Sequence, residues 1–563
     1  MSRSTDAAQP DGVKSRAPLR RVRMIAQALF IGMGLGLLVA FFQATEPELR
    51  ARLVSGLGWM LWMVAGLLSA AIAFLWFLLF SRISWRTRLG LAVIGLAVPV
   101  GAAGVLQFEG FAGDLTPKFS FVWPPFSSAS RARIPPPSAD SNDESRAFHV
   151  EFSKETPFDF PGFLGTTRDG IVMNVGLETD WQSVPPKELW RRRVGSAWSG
   201  CAIVGDHAVT QEQRGDQECV VCYELLTGNE CWVHGDQALF TGVGVHGDGP
   251  RATPTIHQGR VYSLGATGLL NCLEGSTGKV AWSTSLLPDP QHDNLRWGLS
   301  GSPLIVGDLV VVAPGVGPGR SVVAFDQMTG KEVWAIEDFP AGYSSLQVVE
   351  LDGVQVILNF HGTGLAAHDP QSGTTLWQFP WVTQGESMVN VAQPLKVAKA
   401  IGGSELDGIL ISSGYGQGIA LLVPEFTTES KTVRPQWRNK QLKSKFSNMV
   451  IRGEFVYGLD DGVLACLELK TGKRFWRNGR YGHGQLLRID NLILVQAESG
   501  EVVLVEASSS ELKELGRLEA LPGKTWNHPA LAKNRLLVRN DQYAACFELP
   551  VVPVPVEREL PTD

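Results

Sequence analysis

The sequence is poor in charge and has no excess of positive charge. Charged residues make up 19% of its 563 positions, and the formal net charge is −6. A nucleic-acid surface needs a basic stripe, so that class of partner is excluded. Cysteine is scarce. There are seven, none next to another, and an odd count leaves at least one unpaired within the chain. No paired-carboxylate constellation of the kind that cleaves glycosidic bonds can be identified. Three long stretches, 24–44, 57–80 and 89–108, lack any ionisable side chain, which leaves a proton or ion pathway without support.

Each of these stretches is about long enough to cross a hydrocarbon core of roughly 30 Å, so the sequence predicts three transmembrane helices. Arg3, Lys14, Arg16, Arg20, Arg21 and Arg23 precede the first, and Arg82, Arg86 and Arg88 separate the second from the third. The positive-inside rule makes residues 1–23 a cytoplasmic basic tail and sends the chain out on the far side after the third span. A cleaved signal peptide is the rival reading of residues 1–44, but AFFQATE puts Phe42 where a small residue belongs. The expected location is the inner membrane of a bacterium, with the lipid bilayer as one partner and the bulk of the chain in the periplasm. Residues 109–155, rich in Pro and Ser, read as a linker, and 552–563 as a C-terminal tail.

What the chain does have is glycine, at 61 residues, and tryptophan, at 17. Both follow a repeat. A small residue is followed by an acid two positions on, Thr-Gly or Ser-Gly at five and six, and Trp at ten. It reads CYELLTGNECW at 222–232, CLEGSTGKVAW at 272–282, AFDQMTGKEVW at 324–334, AHDPQSGTTLW at 367–377 and CLELKTGKRFW at 466–476. Degenerate copies at GIALLVPEF leading to Trp437, at 502–509 and at 544–551 bring the count to eight. An apolar run, a tight turn and a returning strand make a hairpin, and four short strands per roughly 40–50 residues make a propeller blade. The last copy lacks a return strand, while KELWRRRVG at 187–195 is a return strand without a partner. Joined, they complete one blade and remove the open edge. The expected fold is an all-β eight-bladed propeller of four-stranded antiparallel blades over 156–551, preceded by three transmembrane α-helices.

The repeat resembles that of the pyrroloquinoline-quinone propeller family, whose consensus matches residues 324–334 almost letter for letter. The resemblance implies one of two functions. Quinoprotein alcohol and sugar dehydrogenases of the family hold the quinone with Ca²⁺ in the central funnel. Cofactor-free members, including the propeller lipoprotein of the outer-membrane β-barrel assembly machinery, bind protein partners. The enzymes commonly use a vicinal Cys-Cys disulfide, an acid–amide cluster for Ca²⁺ and a catalytic Asp. This sequence has no adjacent cysteines, and its funnel loops are poor in acids.

The expectation is therefore a non-catalytic scaffold for a protein, peptide or glycan, with no cofactor, no metal ligands and no catalytic residue. A membrane-bound quinone-dependent dehydrogenase is the alternative. The cysteines read as small apolar fillers of core strands, and Cys219 and Cys222 as facing opposite sides of one strand. Ligand candidates are polar residues where the chain enters each innermost strand: Thr253, Ser302, Ser345, Gln393, Ser447, Gln485 and His528. Near them stand Arg251, Trp297, Asn448, His483, Trp526 and Asn527. Eightfold geometry converges them on one end of the funnel, where Arg and Trp suit an anionic or sugar-like ligand. The competing reading is that they cap inner-strand turns.

Overall fold

The computed structural model describes residues 83–111, 113, 117–121 and 150–552, apart from 243–246, 291–292, 384–388, 399–406 and 427–430, together with five positions between 66 and 75. Two compact units divide the chain, residues 1–130 and 131–563. In the first, helix α1 (Trp85–Val105) runs into a hairpin of β1 (Leu106–Phe111) and β2 (Pro117–Phe121).

This corrects the membrane reading. Among the described residues no helix is long and apolar enough to cross a membrane. The stretch 89–108 was expected to be a third span, but α1 begins earlier, takes in Arg86 and Arg88, and gives way to strand at Leu106. Its uncharged part, 89–105, extends about 26 Å at 1.5 Å per residue, short of a hydrocarbon core of roughly 30 Å. The stretch 24–44 and most of 57–80 lie outside the described residues. The fold class of three transmembrane helices, the inner-membrane location and the bilayer as partner through three helices all fall with that finding.

The second unit is an eight-bladed propeller. Blades 1 to 8 begin with the innermost strands Ala202–Val204, Thr255–His257, Leu304–Val306, Gln347–Leu351, Leu395–Val397, Val450–Arg452, Gln485–Ile489 and Ala530–Ala532. Each continues outward as an antiparallel meander. The middle strands, such as Leu309–Val312 and Val322–Asp326, are apolar along their length because both faces pack against neighbouring blades. Outer strands are half-buried at some positions and exposed at the rest. Ring closure is as the sequence predicts: β4 (Lys187–Arg193) pairs with Tyr543–Glu548, with Trp190 opposite Cys546.

The repeat motif sits at the blade seams. In blade 3 the Gly330 N–H donates to the Asp326 carbonyl (2.9 Å), and the Thr329 hydroxyl to the Asp326 carboxylate (2.6 Å). Gly330 has φ +70°, and a Cβ there would lie 2.5 Å from the ring of Trp282 on the preceding blade. The same relation holds for Gly228 under Trp190, Gly278 under Trp232, Gly373 under Trp334 and Gly472 under Trp437. The indoles of Trp190, Trp232, Trp282, Trp437 and Trp476 donate to carbonyls of the next blade at 2.8–3.0 Å. Thr-Gly and Trp are thus two halves of one interblade joint. Blade 7 has Gly516 at the tryptophan position, and Trp181, from the segment before β4, packs onto it with ring atoms 2.7 Å from a Cβ built there.

Between blades 8 and 1 a buried polar cluster replaces part of the apolar seam. Arg539 donates to the Thr210 hydroxyl (2.7 Å) and to the Gln211 and Gly195 carbonyls. Glu212, with no exposed surface, accepts from Arg214 (3.0 Å) and from the Gly195 N–H (2.7 Å).

Candidate funnel site

One end of the central channel is filled by residues 158–172. The Phe160 N–H and carbonyl pair with Ile203, the Ile256 N–H donates to Pro161, and Lys533 to Phe158. Arg168 reaches to the start of blade 3, donating to Pro303 (2.9 Å) and Ser302 (3.1 Å). Burial presses its guanidinium down to about 10, so it stays charged at neutral pH. The segment leaves as β3 (Ile171–Val172), a fifth, parallel strand inside blade 7. The propeller axis is therefore a blind funnel.

From the other end opens a cavity of about 170 Å³, bounded on its inner side by Phe163 of the filling segment. Its wall includes Trp198, Trp297, Tyr343, Tyr415, Phe446 and Trp526, with Val389, Val391, Arg251, Ser300, Ser345, Asn448, Gln485 and His528 between them. Trp526 packs against Trp198 (4.9 Å between ring centroids) and Phe446 (5.0 Å), and Trp297 against Tyr343 (5.2 Å). Cations lie over these rings: Lys524 over Trp526 (4.1 Å) and Trp198, Arg296 over Trp297, and Lys445 over Tyr415. Arg251 is held against the Trp297 carbonyl and, at 3.1 Å, that of Gly247, and stacks on Phe240.

Of the thirteen sequence candidates, Arg251, Trp297, Ser345, Asn448, Gln485, Trp526 and His528 line this cavity. Thr253, Ser302, Gln393 and Asn527 are buried in a belt of interblade bonds, while Ser447 is buried outside the cavity wall and His483 is buried with its N–H bonded inside its own blade. The Gly200 N–H donates to the Thr253 hydroxyl, the Thr253 N–H to Ser302 Oγ, and the Ser302 N–H to Ser345 Oγ, all at 2.9–3.1 Å. The Gln393 N–H donates to Asn448 (2.7 Å), His483 N–H to Glu498 (3.0 Å), and Asn527 to Ser199 (2.8 Å). Two residues before each inner strand stand Gly200, Thr253, Ser302, Ser345, Gln393, Asn448, His483 and His528. Hence Asn448 and His483, rather than Ser447 and Gln485, hold the equivalent positions.

Of the aromatic wall the sequence offered Trp297 and Trp526, but Trp198, Tyr343, Tyr415 and Phe446 were missed. Its signal lay two residues further back, at Trp198, Arg251, Ser300, Tyr343, Val391, Phe446, Tyr481 and Trp526, since residues two apart in extended chain share a side. All but Tyr481 line the cavity.

Residues 216–478 match the family described as outer membrane protein assembly factor BamB. That match takes in less than half of the chain, and its model is of the pyrroloquinoline-quinone repeat type. BamB of Burkholderia pseudomallei (strain K96243) is 24% identical over 306 residues, covering 52% of this chain and 69% of that protein. BamB of Xanthomonas campestris pv. campestris is 27% identical over 147 residues, or 25% and 34% of the two chains. Among solved structures, quinohemoprotein alcohol dehydrogenase ADHIIG of Pseudomonas putida HK5 gives a TM-score of 0.50 at 12% identity, covering 77% of this chain and 84% of that one. BamB of Moraxella catarrhalis gives 0.48 at 18%, covering 65% and 100%. At such identities the likeness to solved structures is one of fold alone.

The family's quinone and Ca²⁺ would need carboxylates in the funnel, and the described wall contains none. His528 Nε2 accepts from the Asn448 amide (2.8 Å), and burial pushes its imidazole down to about 3, making it a weak base. The residues present do not fit that pair of groups.

Proposed function

We propose that the propeller is a non-catalytic scaffold for a protein partner in outer-membrane protein assembly, and that its funnel takes an aromatic side chain from an acidic segment of that partner. The observation carrying this reading is the union of aromatic walls with cations stacked over them at the mouth. A cavity of about 150 Å³ suffices for a benzene-sized ring, so the funnel suits one side chain rather than a folded domain. Lys524, Arg296 and Lys445 supply charge for flanking carboxylates. The names of the two matched curated relatives support the choice of a protein partner in that process.

The test is a tryptophan-fluorescence titration of the full chain with a synthetic peptide carrying one aromatic residue among glutamates, against its lysine counterpart. The glutamate peptide is expected to bind, to weaken with salt, and to lose about tenfold in affinity to Lys524→Glu. Equal binding of both peptides, or preference for a neutral oligosaccharide, would reject the acidic segment. Stoichiometric uptake of pyrroloquinoline quinone with Ca²⁺, accompanied by dye-linked alcohol oxidation, would reject the scaffold.

A further inference from the structure

Away from the funnel, blade 1 carries two cysteines where no other blade does. The residue facing the tryptophan position is Cys222 here, and Cys272, Ala324, Ala367, Leu421, Cys466, Leu504 (opposite Gly516) and Cys546 in blades 2 to 8. The residue before the tryptophan position is Cys231 in blade 1 and never sulfur-bearing elsewhere.

The register brings the pair together. Cys222 stands opposite Trp232 and Tyr223 opposite Glu230, so Cys231 is the extra residue of a β-bulge. A bulge sets two consecutive residues against the single residue across from them. Cys222 is fully buried, and the half-buried Cys231 packs on the same apolar cluster. The Cys231 thiol lies close enough to Cys222 and His207 for both to act on its ionisation, and its sulfur is 4.0 Å from the Asn229 carbonyl. His207 stands opposite Glu224, the register position that Arg260 holds in blade 2, where its guanidinium donates to the Cys272 sulfur (3.6 Å). Blade 1 has thus kept a nitrogen-bearing side chain at this position and added a second sulfur.

We propose that Cys222 and Cys231 are a thiol–disulfide exchange site, in which Cys231 attacks an external disulfide and Cys222 resolves the product into an internal bond. The oxidant is a disulfide RSSR of a small thiol or of an oxidoreductase. The Cys231 thiolate forms a bond to one sulfur of RSSR and expels RS⁻, which takes up the proton Cys231 has lost. Cys222 then loses its proton, bonds to the Cys231 sulfur and expels the second RS⁻, which that proton converts to RSH. Two protein thiols and RSSR become one protein disulfide and two RSH.

The environment sorts the roles. Hydrogen bonding from Cys222 lowers the Cys231 thiol to about 6 against the opposing effect of burial, with help from His207, while Glu224 works the other way. Burial raises Cys222. Glu230, the neighbour in sequence, has its carboxylate engaged by Arg192 and Arg214. Cys231 is the more accessible, ionised attacker and Cys222 the buried, protonated resolver.

The full chain is equilibrated with oxidised and reduced glutathione at pH 7, alkylated after denaturation, and cleaved after glutamate, which separates Cys222 from Cys231 at Glu224 and Glu230. A Cys222–Cys231 linked peptide is expected, with the other five cysteines alkylated. Cys222→Ser is expected to stop at glutathione held on Cys231, and Cys231→Ser to take up none on Cys222. In the reduced native chain, iodoacetamide should reach Cys231 at least about tenfold faster than any other cysteine, with a pH midpoint near 6. Seven alkylated cysteines after equilibration, a Cys219–Cys222 link, or a Cys231 no faster than the rest would overturn the proposal. The alkylation rate is read on the unsubstituted chain, so it stands even if a variant fails to fold.

Discussion

Gly330, like its counterparts in four other blades, meets two demands that only glycine can meet together. Its φ of +70° is a region that L side chains avoid, and the face where a Cβ would project is covered by Trp282 at 2.5 Å. Gly330→Ala is expected to cost about 1–3 kcal/mol, read as a fall in the urea midpoint at unchanged slope. Gly353, at φ +76° but with open space around it, is the control: its alanine variant carries the backbone strain without the clash. Glu212 makes a different case. Burial alone would raise its carboxyl, yet Arg214 and Arg539 hold it below the usual value of 4.5. A lowered folded pKa means that its contribution is present in full above the unfolded value and is lost as pH falls through the folded one. Glu212→Gln should therefore destabilise by about 3 kcal/mol at pH 7, since it removes one of the two carboxylates paired with Arg214 and the buried charge that Arg539 acts on. The gap to the unsubstituted chain should narrow below pH 4.5.

The element that changes the reading most is the segment before β4. It fills one end of the channel at Phe160–Arg168, lends β3 to blade 7 and delivers Trp181 to the seam where Gly516 leaves a gap. Trp181 is 4% exposed, and its indole donates to the Glu178 carbonyl (3.0 Å). Trp181→Ala is expected to cost about 3–5 kcal/mol, as for docking tryptophans within the repeats, because the cavity left behind cannot be refilled by a glycine. A loss under about 1 kcal/mol, by chemical denaturation, would mean that the segment merely rests on the blades.

For the whole molecule, closure and burial set the response to pH. His361 and His368 are pushed down to about 4, and His528 to about 3, in each case mainly by burial. Each stays neutral in the folded chain while the unfolded chain takes up a proton near 6.5, so the unfolded state binds more protons between about pH 6.5 and 4. Stability should fall with pH across that window, by at most about 1.4 kcal/mol per unit per histidine. Urea midpoints at pH 7.5, 5.5 and 4.5 would show it; a flat profile would mean that these imidazoles are solvated.

Short-range pattern in the sequence determined the blades, their number, and the joining of the last copy to 187–195. A period-2 strand, a Thr-Gly turn and a tryptophan at a set distance need only local chemistry and repetition to be recognised. The same pattern separated Cys219 from Cys222, which lie in different apolar clusters. Hydropathy alone misjudged the stretch 89–108, because it sees neither where α1 begins nor that strand follows it. The polar candidates were found because they recur, but recurrence could not say which of them face the cavity and which bond blade to blade. Only the tertiary structure decided that the channel is blind, that aromatic side chains form its wall and that Cys231 meets Cys222. Each of these depends on residues far apart in sequence, or on a one-residue bulge, meeting when eight sheets close into a ring, and no local period encodes that.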